Sequence, residues 1–273
     1  MVSFDLVSDF HTEMNHKYKI SEGIFAHYDW EKEKQSDIIV IAGDSGNTIF
    51  NTIEVIDEAR QYYEHVIFTD GNHEHYQGIQ PVLANMADLQ AYADLHENVT
   101  YLGGKSKFIL EDTAFIGANG WYDWVYGIGD KETQRYTWLQ YSNDSRCIMH
   151  SMDPDKMAKE QAKQVGDMVM ELQDDESVKK IVIVTHTVPV KDGVVSNTRD
   201  IIWEQLNGSY GNSYMRQVFP LDRNEKVKTW VFGHTHFNKD FVEEHIRFIS
   251  NPRGYNGESR DGEYYKGLKQ VIV

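Results

Sequence analysis

Five short polar clusters in this 273-residue chain carry side chains of the types that can hold metal ions, and each lies just after an apolar run. In order they are Asp9-Phe10-His11, Gly43-Asp44, Gly71-Asn72-His73-Glu74, Thr185-His186 and Gly233-His234-Thr235-His236. Carboxylate, amide and imidazole together make a mixed oxygen and nitrogen donor set, which suits divalent transition metals. No cluster contains a cysteine, which argues against a structural zinc knuckle. Taken singly the clusters say little, since Gly-Asp is a common turn dipeptide. Their force is positional. An aspartate and a histidine one residue apart face opposite sides of a strand, but in a tight strand-exit turn both can converge on one cation.

The runs that must position them are Phe4–Val7, Ile38–Ala42, Val66–Phe68, Ile181–Val184 and Trp230–Phe232, short and apolar enough to read as buried strands. In an open α/β sheet, ligands bind beyond the carboxyl ends of the strands. One sheet edge should therefore collect two Asp, one Asn and several His. Helical stripes are expected over Thr52–Glu64 (Ile53, Ile56, Ala59, Tyr63) and Ile79–Asp94 (Val82, Met86, Leu89, Ala93). A third helix should start at Asp153 as N-cap with Pro154 in its first position, burying Val165, Met168, Val169 and Leu172. Alternation of strand and helix implies a partly parallel sheet. Lys107–Leu110 and Thr113–Ile116 flank Glu111-Asp112 like a hairpin, and Phe241–Glu244, Ile246–Ser250 and Leu268–Val273 add strands at the C-terminal end. The expected architecture is α/β, a two-sheet β-sandwich core flanked by helices, in one domain over 1–273. The long segment Thr187–Lys226 is a candidate cover for a cleft.

Composition narrows the setting. The formal charge is −16, from 27 basic and 43 acidic side chains, a field that repels long polyanions and makes general nucleic-acid binding unlikely. No apolar stretch approaches the length of a membrane span. The first residues read directly as a strand, without a signal-peptide pattern. With Cys147 the single cysteine, a reducing, cytoplasmic compartment is the simplest expectation.

In their order and spacing, the five clusters resemble the calcineurin-like metallophosphoesterase superfamily, whose pattern is Asp-x-His, Gly-Asp, Gly-Asn-His-Glu/Asp, His, then Gly-His-x-His. The resemblance runs from Asp9 to His236 and is nearest to small bacterial and phage phosphoesterases, whose tail motif Asn251-Pro252-Arg253-Gly254-Tyr255 resembles. So does the aromatic stretch Trp121-Tyr122-Asp123-Trp124. The resemblance implies two divalent ions. Asp9, His11 and His236 would hold one, Asn72, His186 and His234 the other, and Asp44 would bridge them. Two such cations, roughly 4 Å apart, can clamp an in-line displacement at phosphorus and supply a bridging hydroxide as nucleophile. His73 would be the general acid for the leaving oxygen. Mn²⁺ is the favoured ion for a cytoplasmic enzyme, with Fe, Zn²⁺ or Ni²⁺ as alternatives.

The chain departs from the protein serine/threonine phosphatases of that superfamily, which carry an Asp and an Arg where Asn47 and Thr48 stand, and arginines around Gly-Asn-His-Glu where Asp70 and His75-Tyr76 stand. Bidentate arginine is what a phosphomonoester dianion wants. Its absence, with Asp70 adding negative charge, favours a small or nucleotide-like phosphodiester as substrate over a monoester or a phosphoprotein. Arg253 or Arg199 could supply a cation from elsewhere, Trp121 could stack a base, and Asn47 could hydrogen-bond His73. A non-catalytic scaffold on the same fold would usually lack a ligand or the catalytic histidine, and here the set is complete.

Overall fold

A computed structural model describes residues 1–15, 17–21, 24–76, 78–150, 153–194, 200–258 and 265–273. In chain order the strands are β1 (Ser3–Val7), β2 (Tyr18–Ser21), β3 (Ile24–Ala26), β4 (Ile38–Ala42), β5 (His65–Thr69), β6 (Val99–Tyr101), β7 (Phe108–Leu110), β8 (Thr113–Ala118), β9 (Lys180–Thr185), β10 (Val227–Val231), β11 (Lys239–Glu243), β12 (Ile246–Ser250) and β13 (Lys269–Ile272). They form a five-stranded sheet of order β13-β1-β4-β5-β6, a six-stranded sheet of order β11-β12-β10-β9-β8-β7, and the small hairpin β2-β3. Within the first sheet β1, β4, β5 and β6 are parallel and β13 returns antiparallel on β1. Within the second, β8, β9, β10 and β12 are parallel, with β7 and β11 antiparallel at the two edges.

Strand periodicity decides the layering. Alternate residues of β4 go to opposite faces. Ile38, Val40 and Ala42 join Phe4, Leu6, Ile67, Val182, Val184, Val231 and Ile249 in the core between the sheets. Ile39 and Ile41 face outward with Val7, Val66 and Phe68 onto the helices Ile49–Ala59 and Val82–Asp94. The outer face of the second sheet, including Ile181, Ile183 and Trp230, packs on the helix Pro154–Asp174 through Ala162, Val165, Met168, Val169 and Leu172. The result is the expected two-sheet core flanked by helices. The hairpin, the C-terminal strands and the Asp153 cap, whose side chain accepts from Asp155 N, stand where the sequence puts them.

Helix starts differ. The helix expected from Thr52 begins at Ile49, because the Thr48 side chain accepts from Asn51 N and caps it three residues earlier. Its buried stripe is then Ile49, Thr52, Val55, Ile56 and Ala59, with Ile53 only half-buried. The helix expected from Ile79 begins at Val82 after Pro81, and Ile79 is exposed.

A candidate dinuclear metal centre

Parallel strands of both sheets end at one edge, so the loops after β1, β4, β5, β9 and β10 meet there. Backbone hydrogen bonds tie them: Asp9 N donates to Gly43 O (2.9 Å), His11 N to Asp44 O (3.1 Å) and Gly233 N to His186 O (2.9 Å). Asp9, His11, Asp44, His234 and His236 all adopt positive φ, between 46° and 71°. Non-glycine residues rarely do so, and such strain clusters at functional sites. The left-handed turn is what lets Asp9 and His11 converge while Phe10 between them is buried against Tyr28 and Trp30. Glycine at 43 and 71 is a matter of close approach. A Cβ at Gly43 would lie 2.6 Å from His186 Nδ1, and one at Gly71 would lie 2.1 Å from Asp44 Oδ1.

Three overlapping groups have donor atoms within 4.8 Å of one another: Asp9, His11 and His236; His11, Asp44 and His73; and Asp44, His186 and His234. Asn72 Oδ1 joins the last, 3.1 Å from His186 Nε2. The outward nitrogen of each imidazole meets an oxygen acceptor. His11 Nδ1 meets Glu13 (3.0 Å), His236 Nδ1 meets Glu258 (2.7 Å), His186 Nδ1 meets the carbonyl of Ala42 (2.9 Å) and His234 Nε2 that of Ser209 (3.1 Å). These acceptors fix the tautomer, with the N–H outward and the lone pair inward, as around protein-bound metals. The inner nitrogens then face each other, 2.9 Å apart for His11 and His236 and 3.1 Å for His186 and His234. Two lone pairs at that distance repel unless a cation or a proton stands between them, so the donor set fits metal ions.

Protonation follows the same logic. Burial would lower His186, but the Asp44 carboxylate beside it wins and pushes it up to about 10. Burial is likewise outweighed at His236 by Asp9 and Glu258, to about 9. Their partners go the other way: burial and the nearby His186 press His234 down to about 4, and burial lowers His11 despite Glu13. Burial raises Asp9, but His236 outweighs it and brings the carboxyl down to about 2; Asp44 lies well below the usual range, its burial cost outweighed by His186 and His73. A cation bound between each imidazole pair would compete with protons for the same nitrogens, so metal binding here is linked to pH.

His73 faces the cleft beside this set. Its ring stacks on Tyr76 (centroids 3.9 Å), its backbone N–H donates to Asp44 Oδ1 (2.9 Å) and its Nδ1 lies 2.7 Å from Asn47 Oδ1. Asn47 therefore sits at the position suited to orienting the ring. Burial lowers the His73 pKa, but Asp44 and Glu13 outweigh it and leave it raised, which favours the proton-bearing form.

Four carboxylates outside the expected ligand set hold the site together. Glu74 is buried and accepts from Asp44 N, Ser45 N and Gly71 N and from Thr52 Oγ1, clamping the Gly-Asp turn. Asp144 accepts from Asn72 Nδ2 (2.9 Å), Tyr76 (2.6 Å) and Tyr122 (2.9 Å), which turns the amide oxygen of Asn72 inward. Glu13 and Glu258 back His11 and His236. Glu74 belongs to the Gly71–Glu74 cluster and Glu13 follows Asp9-Phe10-His11, so proximity was a signal for them; Asp144 lies 72 residues from Asn72, in the polar stretch Asn143-Asp144-Ser145-Arg146 that reads from sequence as a plain turn or as a loop near the site.

Other expectations change. Trp121 is fully buried in an aromatic cluster with Tyr122, Trp124 and Trp138, away from the cleft. Asn119 Oδ1 accepts from the backbone N–H of Trp121, whose left-handed φ turns the ring inward. The Arg253 guanidinium lies over Phe10 and Tyr28 and donates to His27 O (3.0 Å), so it does not reach the cleft. Asp70 is buried behind the site, accepting from Tyr101 (2.6 Å) and Asn119 (3.2 Å) and paired with His75 (2.9 Å). It adds no charge to the cleft wall. Arg199 lies outside the described residues. The cleft itself, about 230 Å³, runs from Asp44, Asn72, His73, His234 and His236 to a wall that includes Trp203, Leu206, Ser209 and Tyr210 of the segment after His186.

Residues 2–238 match the calcineurin-like phosphoesterase family. The chain belongs to that family. It is therefore a metal-dependent phosphoester hydrolase by family, with a donor set for two ions. An uncharacterized protein of Acanthamoeba polyphaga mimivirus is 24% identical over 286 residues, covering 98% of this chain and 97% of that one. The phosphopantetheinyl hydrolase of Mycobacterium tuberculosis has the same fold, with a TM-score of 0.72 over 99% of this chain and 95% of that one, at 16% identity. A dimetal phosphatase of Danio rerio is similar at a TM-score of 0.49 and 14% identity, covering 98% and 91%. At 16% identity the likeness to the mycobacterial hydrolase carries the fold alone. Among the described residues no helix is long and apolar enough to cross a membrane.

Proposed function

We propose that this chain hydrolyses a phosphodiester bond in a small or nucleotide-like substrate. Asp9, His11 and His236 hold one divalent cation, Asn72, His186 and His234 the other, and Asp44 reaches both. Such a pair supplies a Lewis acid for the phosphoryl oxygens and lowers the pKa of water for attack. His73, oriented by Asn47, delivers a proton or a charged hydrogen bond to the leaving oxygen. Left-handed turns and carboxylate-backed imidazoles fix these groups before substrate arrives, so little reorganisation is needed at the moment of reaction.

The observation that carries the diester reading is the charge of the cleft. Among the described residues that line it there is no lysine or arginine, while Asp44 and Asp144 are both present. A monoester dianion would bring its second charge to a wall with no lysine or arginine to pair with it, whereas a diester brings one charge fewer. This support stands without Asp70. The deciding experiment is a panel of mono- and diester substrates assayed with Mn²⁺, Ni²⁺, Zn²⁺ and Mg²⁺. A diester preference supports the proposal; a monoester preference across the metals overturns it.

A further inference from the structure

The cleft has two chemically different ends. One end is the donor set just described. The other is a wall of rings: Tyr141 at the end of the helix Lys131–Tyr141, Trp203 on the short helix Ile201–Leu206, and Tyr210 just beyond it. Trp203 is 52% exposed and Tyr141 57% exposed, so about half of each residue's surface stays open. They are held where they are by their backbones, not by burial of their rings. The two helices are pinned together by Thr137 Oγ1 donating to Gln205 Oε1 (2.7 Å), and the loop ahead of the first is tied to the second by Ile128 N donating to Glu204 O (3.1 Å). Asn143 places an exposed amide on the same wall.

We propose that this wall is the specificity subsite of the enzyme and takes a planar heteroaromatic ring, such as a nucleobase, carried on the arm of the phosphodiester that is not expelled. The inference rests on the phosphodiester reading above. Three features of the wall lead to it. The wall opens into the same cleft as the donor set, so a ligand spanning both ends has its phosphate at one and its other arm at the second. No lysine or arginine lines the cleft among the described residues, so an anionic arm finds no partner there. Flat exposed rings next to an amide offer stacking and an edge hydrogen bond together, which is the pairing a heteroaromatic ring can use and an alkyl chain cannot. Trp203 also takes the place that the sequence offered to Trp121: the exposed tryptophan of the cleft comes from the segment after His186.

The test uses two diesters with the same small leaving group, methyl thymidyl phosphate and methyl ethyl phosphate, followed by phosphorus NMR on the metal-loaded protein. The expected result is a kcat/KM ratio of at least about tenfold in favour of the thymidyl diester, in line with the value of a base stacked on an aromatic side chain. In Trp203→Ala and in Tyr141→Ala that ratio should fall several-fold, mainly through KM, while Trp203→Phe should keep most of it. A ratio near unity in the native protein, or one that neither alanine variant changes, would overturn the proposal. If neither diester is cleaved and thymidine monophosphate is, the diester reading fails separately. The wall is then judged by titrating thymidine monophosphate and ethyl phosphate into the metal-loaded protein. Tighter binding of the nucleotide, weakened in Trp203→Ala, supports the subsite, and equal affinities refute it.

Discussion

The two halves of the donor set differ in what stands behind their imidazoles, and Glu258→Gln should expose that difference. His11 and His236 are backed by the carboxylates of Glu13 and Glu258, whereas His186 and His234 are backed by the backbone carbonyls of Ala42 and Ser209. A carboxylate partner makes an imidazole a stronger donor and adds a negative charge near the cation. The Glu258 side chain is only 15% exposed and sits 2.7 Å from His236 Nδ1, so water screens it little. Glutamine keeps the shape and an accepting oxygen, including for Tyr255 N. What is lost is the difference between a charge-assisted and a neutral hydrogen bond, about 1–2 kcal/mol. At about 1.4 kcal/mol per decade, this is a loss of roughly tenfold in affinity at the half that contains Asp9, His11 and His236. It falls at the lower end of the 10–100-fold typical of such outer partners. The assay is stepwise removal of metal by a chelator, with the equivalents retained read by elemental analysis. The native protein should release one ion well before the other, and Glu258→Gln should close part of that gap by loosening the tighter one. Unchanged affinity at both steps, or equal loss at both, would refute the assignment of Glu258 to one half.

Three further outcomes follow from the same geometry. Asp44→Asn should weaken both ions together, and elemental analysis showing two full equivalents with native activity would remove Asp44 from its shared position. His73→Asn should keep both metals yet cost about 10²–10⁴-fold in rate on an alkyl diester, with a much smaller loss on a nitrophenyl ester; equal losses on the two would argue against leaving-group protonation. Asp70→Asn breaks a buried cluster with His75, Tyr101 and Asn119, so it should lower unfolding free energy by about 3 kcal/mol in urea while leaving the diester-over-monoester ratio in place.

The sheet edge was legible because apolar β runs and the polar clusters after them are local in sequence. The expectation of one sheet is corrected by the fold: β1, β4 and β5 bring Asp9, Asp44 and Asn72 to the edge of one sheet, β9 and β10 bring His186 and His234 to the edge of the other, and only the packing of the two sheets makes the exits coincide. Helix starts were less legible, since Thr48 and Pro81 set them against the apolar stripe. Trp121 and Trp203 show where composition misleads. Both are tryptophans in loop-rich stretches, but the left-handed turn at Trp121 drives its ring into a cluster with Trp124 and Trp138, whereas Trp203 lies on a short helix whose packed face is spent on Leu206.

Charge is the least legible property. Spread over the sequence, −16 reads as a field that repels anions. In the folded molecule several of those carboxylates face particular donors rather than open solvent. Glu74 collects backbone N–H groups of the Gly-Asp turn, Asp144 turns Asn72, Glu13 and Glu258 set the tautomers of two histidines, and Asp70 is hydrogen-bonded behind the site. Each acts through a donor that only the fold brings to it, and a buried carboxylate without such donors would be too costly to keep ionised. An acidic protein can therefore bind an anionic phosphoester: its acidic side chains near the centre serve to hold the groups that hold cations, and those cations would reverse the local sign.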